Sequence, residues 1–355
     1  MVLLLKKTIL LIITLTLLSR FPVSAVDSSP EVSAQSAVLI DGESGRVLWE
    51  KNADQKLLIA STTKIMTALI ALETSDLKEL VLITDRMADI EGSSMYLQVG
   101  KVYTVEELLY GLLLASGNDA ATALALHIAG DERAFAVLMN KKAEALGMHN
   151  TSFENPHGLD GENHYSTASD MAKLAVYAME NENFSKIAAT RHTTIKGLTY
   201  VNHNKLLWQC EGVIGVKTGY TRAAGRTLVS CCERSGQRII CVTLCAPNDW
   251  NDHRKLFDWA YNEFMPRPIL TGNENYLIPL ISGNSDYAEV IPNECGIAFS
   301  REDEEIQFIL ELPRFVFAPI RKGEHAGKLI GMINRTAVCE IPLVYKQGYN
   351  LEVDH

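Results

Sequence analysis

The sequence predicts an α/β domain built around one antiparallel sheet, followed by a small all-β domain. Three observations support this fold class. Strand patterns occur towards both ends of the first 265 residues, helical patterns lie between them, and short apolar runs broken by Gly and Pro fill the remainder. Strands on both sides of a helical block are typical of a sheet assembled from both ends of a domain. We therefore expect domains at 26–265 and 266–355.

The first 25 residues have the features of a secretory signal peptide. Lys6 and Lys7 precede an apolar run over residues 9–18, and Val23-Ser24-Ala25 forms an A-x-A-like cleavage site. The run is too short for a membrane-spanning helix, which needs about 20 apolar residues. We expect an exported protein that is cut after residue 25 and acts outside the cytoplasm, either secreted or on the outer surface.

The charge of the chain argues against nucleic acid as a partner. The signal segment holds three basic residues and no acid, so the remainder has 30 basic and 43 acidic residues, a net charge of −13. Such a surface repels phosphate backbones, and no basic cluster offsets the repulsion.

The cysteines do not form the dense pattern of a disulfide scaffold. There are seven, so at least one thiol lacks an intrachain partner. Cys241 and Cys245 are four residues apart in an apolar run, where period-2 alternation places both on one strand face. A zinc site there would need two more ligands, and His253 alone does not supply them. We expect core cysteines, neither metal nor cofactor.

The elements of the first domain follow from apolar spacing and capping residues. Two apolar strands around a Gly-bearing turn predict a hairpin within 37–50, and a helical pattern covers 61–73. The capping box of Thr104 and Glu107 begins the next helix, which should break at Ser116-Gly117. Further helices are predicted at about 120–128, 132–146 and 171–179, and strands at 213–217, 226–232 and 238–244, with C-terminal strands at 306–312, 329–333 and 338–344.

An S-x-x-K motif, Ser61-Thr62-Thr63-Lys64, stands at the start of a predicted helix. The i, i+3 spacing places the two Cβ atoms about 5–6 Å apart, so the lysine can reach the serine oxygen. Serine needs an adjacent base to act as a nucleophile, and lysine can serve if burial or a second cation lowers its pKa. Free N–H groups at a helix start also favour an oxyanion. The structural alternative is a helix cap followed by a surface lysine.

Two further motifs follow. Ser116-Gly117-Asn118 lies at a helix break, where a hydroxyl and an amide can line a cleft; an ordinary interhelical turn is the alternative. Lys217-Thr218-Gly219 ends an apolar strand, where a cation and a hydroxyl can bind a carboxylate; a strand entering a turn is the alternative. All three motifs occur in the element type that such chemistry requires, and a joint chance match is far rarer than a single one.

With these motifs the chain resembles the serine D-alanyl-D-alanine carboxypeptidases among the low-molecular-mass penicillin-binding proteins, whose scheme is shared with class A β-lactamases. The similarity spans roughly 35–265, including 155–159 and 164–168, and the β-rich remainder is similar to the family's C-terminal domain. It implies a penicillin-binding, β-lactamase-like transpeptidase domain. It also implies removal of the terminal D-alanine from peptidoglycan stem peptides through an acyl-enzyme, with β-lactam antibiotics as covalent inhibitors.

The resemblance implies a role for each motif residue. Ser61 would be acylated by the penultimate D-alanine carbonyl, Lys64 would accept its proton, and Ser116 would relay a proton to the leaving D-alanine. The implied substrate-binding groups are the amide of Asn118, the side chains of Lys217 and Thr218 at the carboxylate, Gly219, and the backbone N–H groups of Ser61 and Tyr220 at the oxyanion.

Four other side chains have less specific signals. His157 and His164 titrate near neutrality, but we expect structural hydrogen bonds in a loop near the cleft. Arg222 and Arg254 are candidates to clamp the substrate carboxylate, although an exposed salt bridge is the expected role of each.

Two alternative functions remain open. A β-lactamase needs a carboxylate that activates the deacylating water, and the neighbourhoods of Glu154 and Glu162 do not reproduce the E-x-x-x-N pattern. A catalytically silent sensor has no chemical need to retain the intact motifs. Many family members end in an amphipathic helix on the membrane, whereas residues 349–355 follow a strand-like run. We therefore expect no firm C-terminal anchor, and membrane association stays open.

Overall fold

The structure is a computed structural model that describes residues 29–270 and 274–352; the predicted signal peptide lies outside these ranges. The described residues from Glu31 onward form one compact unit. Its helices are α1 Lys64–Thr74, α2 Val105–Leu114, α3 Asn118–Ala129, α4 Glu132–Ala145, α5 Ala168–Glu180, α6 Glu182–Ala189, α7 Leu206–Gln209 and α8 Asp249–Glu263. Its strands are β1 Ser36–Asp41, β2 Val47–Lys51, β3 Leu80–Leu82, β4 Val102–Thr104, β5 His192–Ile195, β6 Leu198–Val201, β7 Val213–Thr221, β8 Gly225–Arg234, β9 Gln237–Leu244, β10 Met265–Pro268, β11 Tyr276–Ile281, β12 Tyr287–Pro292, β13 Ile297–Ser300, β14 Gln307–Glu311, β15 Val316–Phe317, β16 His325–Ile333 and β17 Thr336–Tyr345.

A five-stranded antiparallel sheet, in the order β2-β1-β9-β8-β7, is the centre of the N-terminal part. The predicted hairpin forms β1 and β2, and β1 pairs along its length with β9, placing Leu39 opposite Cys241. The prediction of a sheet assembled from both ends is therefore confirmed. Strand β7, which holds the third motif, is one of the two edge strands of this sheet.

Helices α2 to α6 pack around α1, whose first eight residues are all buried. Ile65, Met66, Leu69 and Ile70 are all buried in one large core cluster with α2 to α6 and one face of the sheet. Each such side chain contributes about 1.5–3 kcal/mol when fully buried. The helix that begins at Lys64 is thus held in place on all sides.

A second cluster lies on the other face of the sheet, under α8. This helix was not predicted, because most of its residues are polar and its fully buried apolar side chains are limited to Leu256, Phe257 and Ala260. Successive strand residues point to opposite faces, so Cys231 belongs to the first cluster and Cys232 to the second.

Local predictions hold at the helix caps and need correction at three positions. Thr104 and Glu107 form the predicted capping box. Ser61 does not begin the α-helix: it lies in a 3-10 turn, Ala60–Thr63, that leads into α1. Strand β7 does not end at Lys217, since its pairing with β8 continues as far as Thr221. Cys241 is a core cysteine as predicted, but β9 ends at Leu244, and Cys245 is half-buried in a left-handed conformation.

The C-terminal part is all-β, as predicted. Six strands form a sheet in the order β14-β16-β17-β12-β11-β15, antiparallel except for the β11–β15 pair. Near the predicted boundary, Phe264 packs against Phe299 with ring centroids 5.7 Å apart, and Arg46 pairs with Glu304. The boundary at 265 itself stays a prediction. Within 29–270 and 274–352, no helix is both long and apolar enough to cross a membrane.

Candidate active site

Five of the eight predicted site residues line one cleft of about 1100 Å³: Ser61, Ser116, Thr218, Gly219 and Tyr220. The other three, Lys64, Asn118 and Lys217, are at most 4% exposed. Three separate elements meet here, namely the turn before α1, the α2–α3 junction and the edge strand β7. The tertiary structure therefore brings all three motifs together.

Lys64 is the first residue of α1 and is fully buried. Its Nζ lies 2.9 Å from Ser61 Oγ, 2.7 Å from the amide oxygen of Asn118 and 2.6 Å from the carbonyl oxygen of His157. A neutral amine has two N–H groups and one lone pair. Because the two carbonyl-type oxygens can only accept, they take both N–H groups and leave the lone pair facing the Ser61 hydroxyl.

The two lysines of the site are both shifted towards their neutral forms. Burial, followed by the charge of Lys217, holds the pKa of Lys64 well below its usual range, while the charge of Asp119 opposes the shift. Burial lowers the pKa of Lys217 to about 7. The lowered pKa of Lys64 favours its neutral amine, which is able to act as a general base.

The second motif combines a cleft hydroxyl with a buried amide. Ser116 has a left-handed φ of 60° and faces the cleft beside Ser61. Asn118 accepts from Lys64 through Oδ1 and donates through Nδ2 to the carbonyl of Glu91. The amide therefore holds the base and a cleft loop at once. Its predicted contact with the substrate amide stays a prediction, and requires Nδ2 to leave the Glu91 carbonyl.

Strand β7 lies close to the nucleophile turn, the 3-10 turn Ala60–Thr63 that holds Ser61. A Cβ atom at Gly219 would lie only 2.9 Å from the backbone nitrogen of Ser61 and 3.1 Å from the carbonyl oxygen of Ile59. Glycine is therefore needed for the strand to reach the serine amide. Alternation along the strand buries Lys217 and directs Thr218 to the cleft.

A family model described as D-alanyl-D-alanine carboxypeptidase matches residues 23–248. The chain belongs to this family. It is 35% identical over 331 residues to D-alanyl-D-alanine carboxypeptidase DacF of Bacillus subtilis, covering 88% of this chain and 85% of DacF. It is 32% identical to DacC of Escherichia coli, covering 93% and 88% of the two chains.

Solved structures of penicillin-binding proteins are similar to this carboxypeptidase-family chain. Penicillin binding protein 5 of Haemophilus influenzae has a TM-score of 0.74 at 28% identity, covering 90% of this chain and 98% of that one. PBP3 of Streptococcus pneumoniae, described as a peptidoglycan synthesis regulatory factor, has a TM-score of 0.81 at 25% identity, covering 91% and 100%. The family and fold class predicted from the motifs are both confirmed.

Asp119 is a site residue that the sequence analysis missed. It is 1% exposed, and its carboxylate accepts hydrogen bonds from Ser94 Oγ at 2.6 Å, Met95 N at 2.9 Å and Leu97 N at 3.1 Å. This loop supplies Ser94 and Tyr96 to the cleft. The available sequence signal was an acid in the first turn of a helix, where the helix dipole favours it.

His157 and His164 make structural hydrogen bonds in the loop near the cleft, as predicted from the sequence. His164 Nδ1 accepts from Glu154 N at 3.1 Å, so its ring proton is on Nε2, which lies 2.7 Å from Thr63 Oγ1. Burial lowers the pKa of His164 to about 4, which keeps the ring neutral. His157 contributes its carbonyl to Lys64 and accepts from Leu159 N at 3.2 Å through Nδ1.

The structure brings a different arginine into the cleft from the two considered in the sequence. In the described part of the chain, Arg222 and Arg254 are exposed and lie outside the cleft, whereas Arg226 lines it. Arg226 Nε donates to the buried Asp249 at 2.9 Å, and its guanidinium carbon lies 5.3 Å from the ring centre of Trp250. These contacts fix a cation at one end of the cleft.

The carboxylates considered for a β-lactamase and the histidine considered for a zinc site are not among the described residues that line the cleft. Glu154 and Glu162 are exposed, and neither is among the described residues that line the cleft. His253 hydrogen-bonds to the hydroxyls of Ser230 and Thr243. Within the described ranges, no group of three or more His, Cys, Asp or Glu residues is arranged to hold a metal ion.

Proposed function

We propose that this carboxypeptidase-family protein removes the terminal D-alanine from peptidoglycan stem peptides through an acyl-enzyme on Ser61. The observation that carries the proposal is the 2.9 Å approach of the buried Lys64 amine to Ser61 Oγ, with the other two contacts of the amine made to oxygen acceptors. The names of the relatives, D-alanyl-D-alanine carboxypeptidases, support the substrate class.

The reaction follows from the placement of these groups. Ser61 Oγ attacks the carbonyl carbon of the penultimate D-alanine while Lys64 takes its proton. The N–H groups of Ser61 and Tyr220 stabilise the oxyanion, and the loss of one such donor typically costs about 10²- to 10³-fold in rate. Ser116 relays the proton that Lys64 took from Ser61 to the nitrogen of the leaving D-alanine as the C–N bond breaks, which returns Lys64 to its neutral form. Water then hydrolyses the ester, with Lys64 again acting as the base.

Substrate recognition involves the strand and one end of the cleft. Strand β7 lies beside the extended peptide, and Lys217 and Thr218 bind the terminal carboxylate region. Arg226 adds a second cation, because Asp249 occupies only its Nε and the guanidinium has further N–H donors. Arg226→Gln should therefore raise KM for the peptide more than it lowers kcat.

Intact-mass spectrometry after incubation with penicillin tests the proposal. We expect a stable adduct of one penicillin on the wild-type chain, mapped to Ser61, and release of D-alanine from a diacyl peptide ending in D-Ala-D-Ala. Ser61→Ala is the matched control and should show neither. Rapid penicillin turnover without an adduct would instead support the β-lactamase alternative. An adduct without peptide hydrolysis would support the silent sensor.

We also infer that residues 1–25 direct export, since the substrate lies outside the cytoplasm. The apolar run and the Ala25 cleavage site support this inference. N-terminal sequencing of the mature protein, isolated from producing cells, should begin at Val26. A mature protein that begins at Met1 and stays in the cytoplasm would contradict it.

A further inference from the structure

A second cluster of nucleophilic side chains lies outside the active site, where the chain enters β7. Cys210 follows α7, and Cys232 lies on β8 directly opposite Val213. Both thiols contact one carbonyl oxygen, that of Glu211: Cys232 Sγ at 3.4 Å and Cys210 Sγ at 3.9 Å. Both thiols therefore lie next to the same peptide group, close enough for each to affect the ionisation of the other. Of the two, Cys232 is buried and Cys210 is half-buried.

Arg234 holds this pair in place and faces the sulfur of Cys210. Its Nε donates to the Glu211 carbonyl at 3.1 Å, its Nη1 pairs with Asp258 at 3.0 Å, and its Nη2 lies 3.5 Å from Cys210 Sγ. The hydrogen bond from Cys232, with the Arg234 charge, lowers the pKa of Cys210 to about 7. The same hydrogen bond and burial raise the pKa of Cys232. The pair therefore combines a thiol that ionises more readily than usual with one that stays protonated more readily than usual.

We propose that Cys210 and Cys232 form a dithiol site that a low-molecular-weight disulfide, RSSR, oxidises to an intrachain disulfide. The Cys210 thiolate attacks one sulfur of RSSR, the S–S bond breaks, and the first RS⁻ leaves and takes up the proton that Cys210 released. Cys232 then attacks Cys210 Sγ in the mixed disulfide and displaces the second RS⁻, which takes up the proton of Cys232. Two protein thiols and RSSR thus give one protein disulfide and two RSH.

The other cysteines near this site are less suited to this reaction. Cys231 is adjacent to Cys232 but points into the core on the opposite face of the sheet. Cys241 is fully buried, and burial raises its pKa well above the usual range. Reactive thiols need both a lowered pKa and access to solvent, and Cys210 has both.

The disulfide would tie one wall of the cleft to the central sheet. His203, Lys205 and Trp208 line the cleft, and they lie on the segment that ends at Cys210. Cys232 lies on β8, which is paired on both sides. Oxidation therefore restrains this segment. The proposal does not depend on the peptidase activity.

Thiol counting on the reduced full chain tests the proposal. The protein is incubated with oxidised glutathione at pH 7.5, quenched with acid, denatured and labelled with N-ethylmaleimide. Labelled thiols should fall from seven to five. A non-reducing tryptic map should link the peptide 206–217, which holds Cys210, to 227–234, which holds Cys231 and Cys232. The linkage should persist in Cys231→Ser and disappear in Cys210→Ser.

A physical readout accompanies the map. Oxidation should raise the thermal unfolding midpoint of the wild type and of Cys231→Ser by a few degrees, because closing a loop constrains the unfolded chain. It should not change the midpoint of Cys210→Ser. Seven labelled thiols after treatment, glutathione held on Cys210 with no linkage, or a linkage through Cys231 would each overturn the proposal. These results are independent of penicillin binding and of D-alanine release.

Discussion

Gly158 determines how closely the 155–159 loop approaches the nucleophile turn. Its φ is +88°, and a Cβ atom there would lie 2.0 Å from the carbonyl oxygen of Ala60. Ordinary carbon–oxygen contacts are about 3.3–3.6 Å, so Gly158→Ala must separate the two segments by roughly 1.3 Å or more. The neighbouring carbonyl of His157 accepts from Lys64 Nζ at 2.6 Å, so the base moves with the loop.

Two costs follow from this geometry. A non-glycine residue in the left-handed region costs about 1–2 kcal/mol in stability. Misplacement of catalytic groups by about 1 Å can cost on the order of 10²-fold in rate. Gly100 is a matched control, because its φ is +79° but a Cβ atom there has no neighbour within 4 Å among the described residues. Gly100→Ala should therefore show the first cost and not the second.

The assay compares acylation by a fluorescent penicillin in stopped flow with unfolding in urea. Gly158→Ala should acylate about 10²-fold more slowly than the wild type, while Gly100→Ala should acylate at nearly the wild-type rate and lose only the stability cost of the left-handed conformation. Equal acylation rates for the two folded variants would refute the argument that contact at Gly158 positions the base.

Three further predictions concern charge and protonation. Lys217→Gln removes the cation that, after burial, lowers the pKa of Lys64, so the rising limb of the kcat/KM profile against pH should move to higher pH. An unmoved limb would leave burial as the only cause of the lowered pKa of Lys64. Asp119→Asn removes the charge that raises the pKa of Lys64, so the rising limb should move to lower pH. Each charge-assisted hydrogen bond that this variant loses to the 93–97 loop should lower the free energy of unfolding in urea by about 1.5–3 kcal/mol. Burial lowers the pKa of His253 to about 3, so below pH 6.5 the unfolded chain binds a proton that the folded chain does not, and stability should fall by about 1.4 kcal/mol per pH unit towards pH 3. His253→Gln should flatten that slope, and an unchanged slope would contradict its assignment to His253.

Local sequence information was sufficient for the motifs, for α1 to α5 and for the strands of the central sheet. The S-x-x-K spacing depends only on helical geometry, so Lys64 beside Ser61 followed from the chain alone. The capping box at Thr104 is likewise local. The exact helix start was not predictable in this way, since the 3-10 turn at Ser61 packs against the Gly158 loop from a distant part of the chain.

Electrostatics and recognition were decided by tertiary structure. The sequence could not show that Lys64 is buried between Asn118 and His157, and burial is the largest cause of its lowered pKa. Nor could it rank the arginines: Arg226 enters the cleft because β8 places it opposite Tyr220. Spacing within one element can be inferred from the repeat of that element, whereas desolvation and contacts between segments far apart in sequence depend on how the sheet and helices pack.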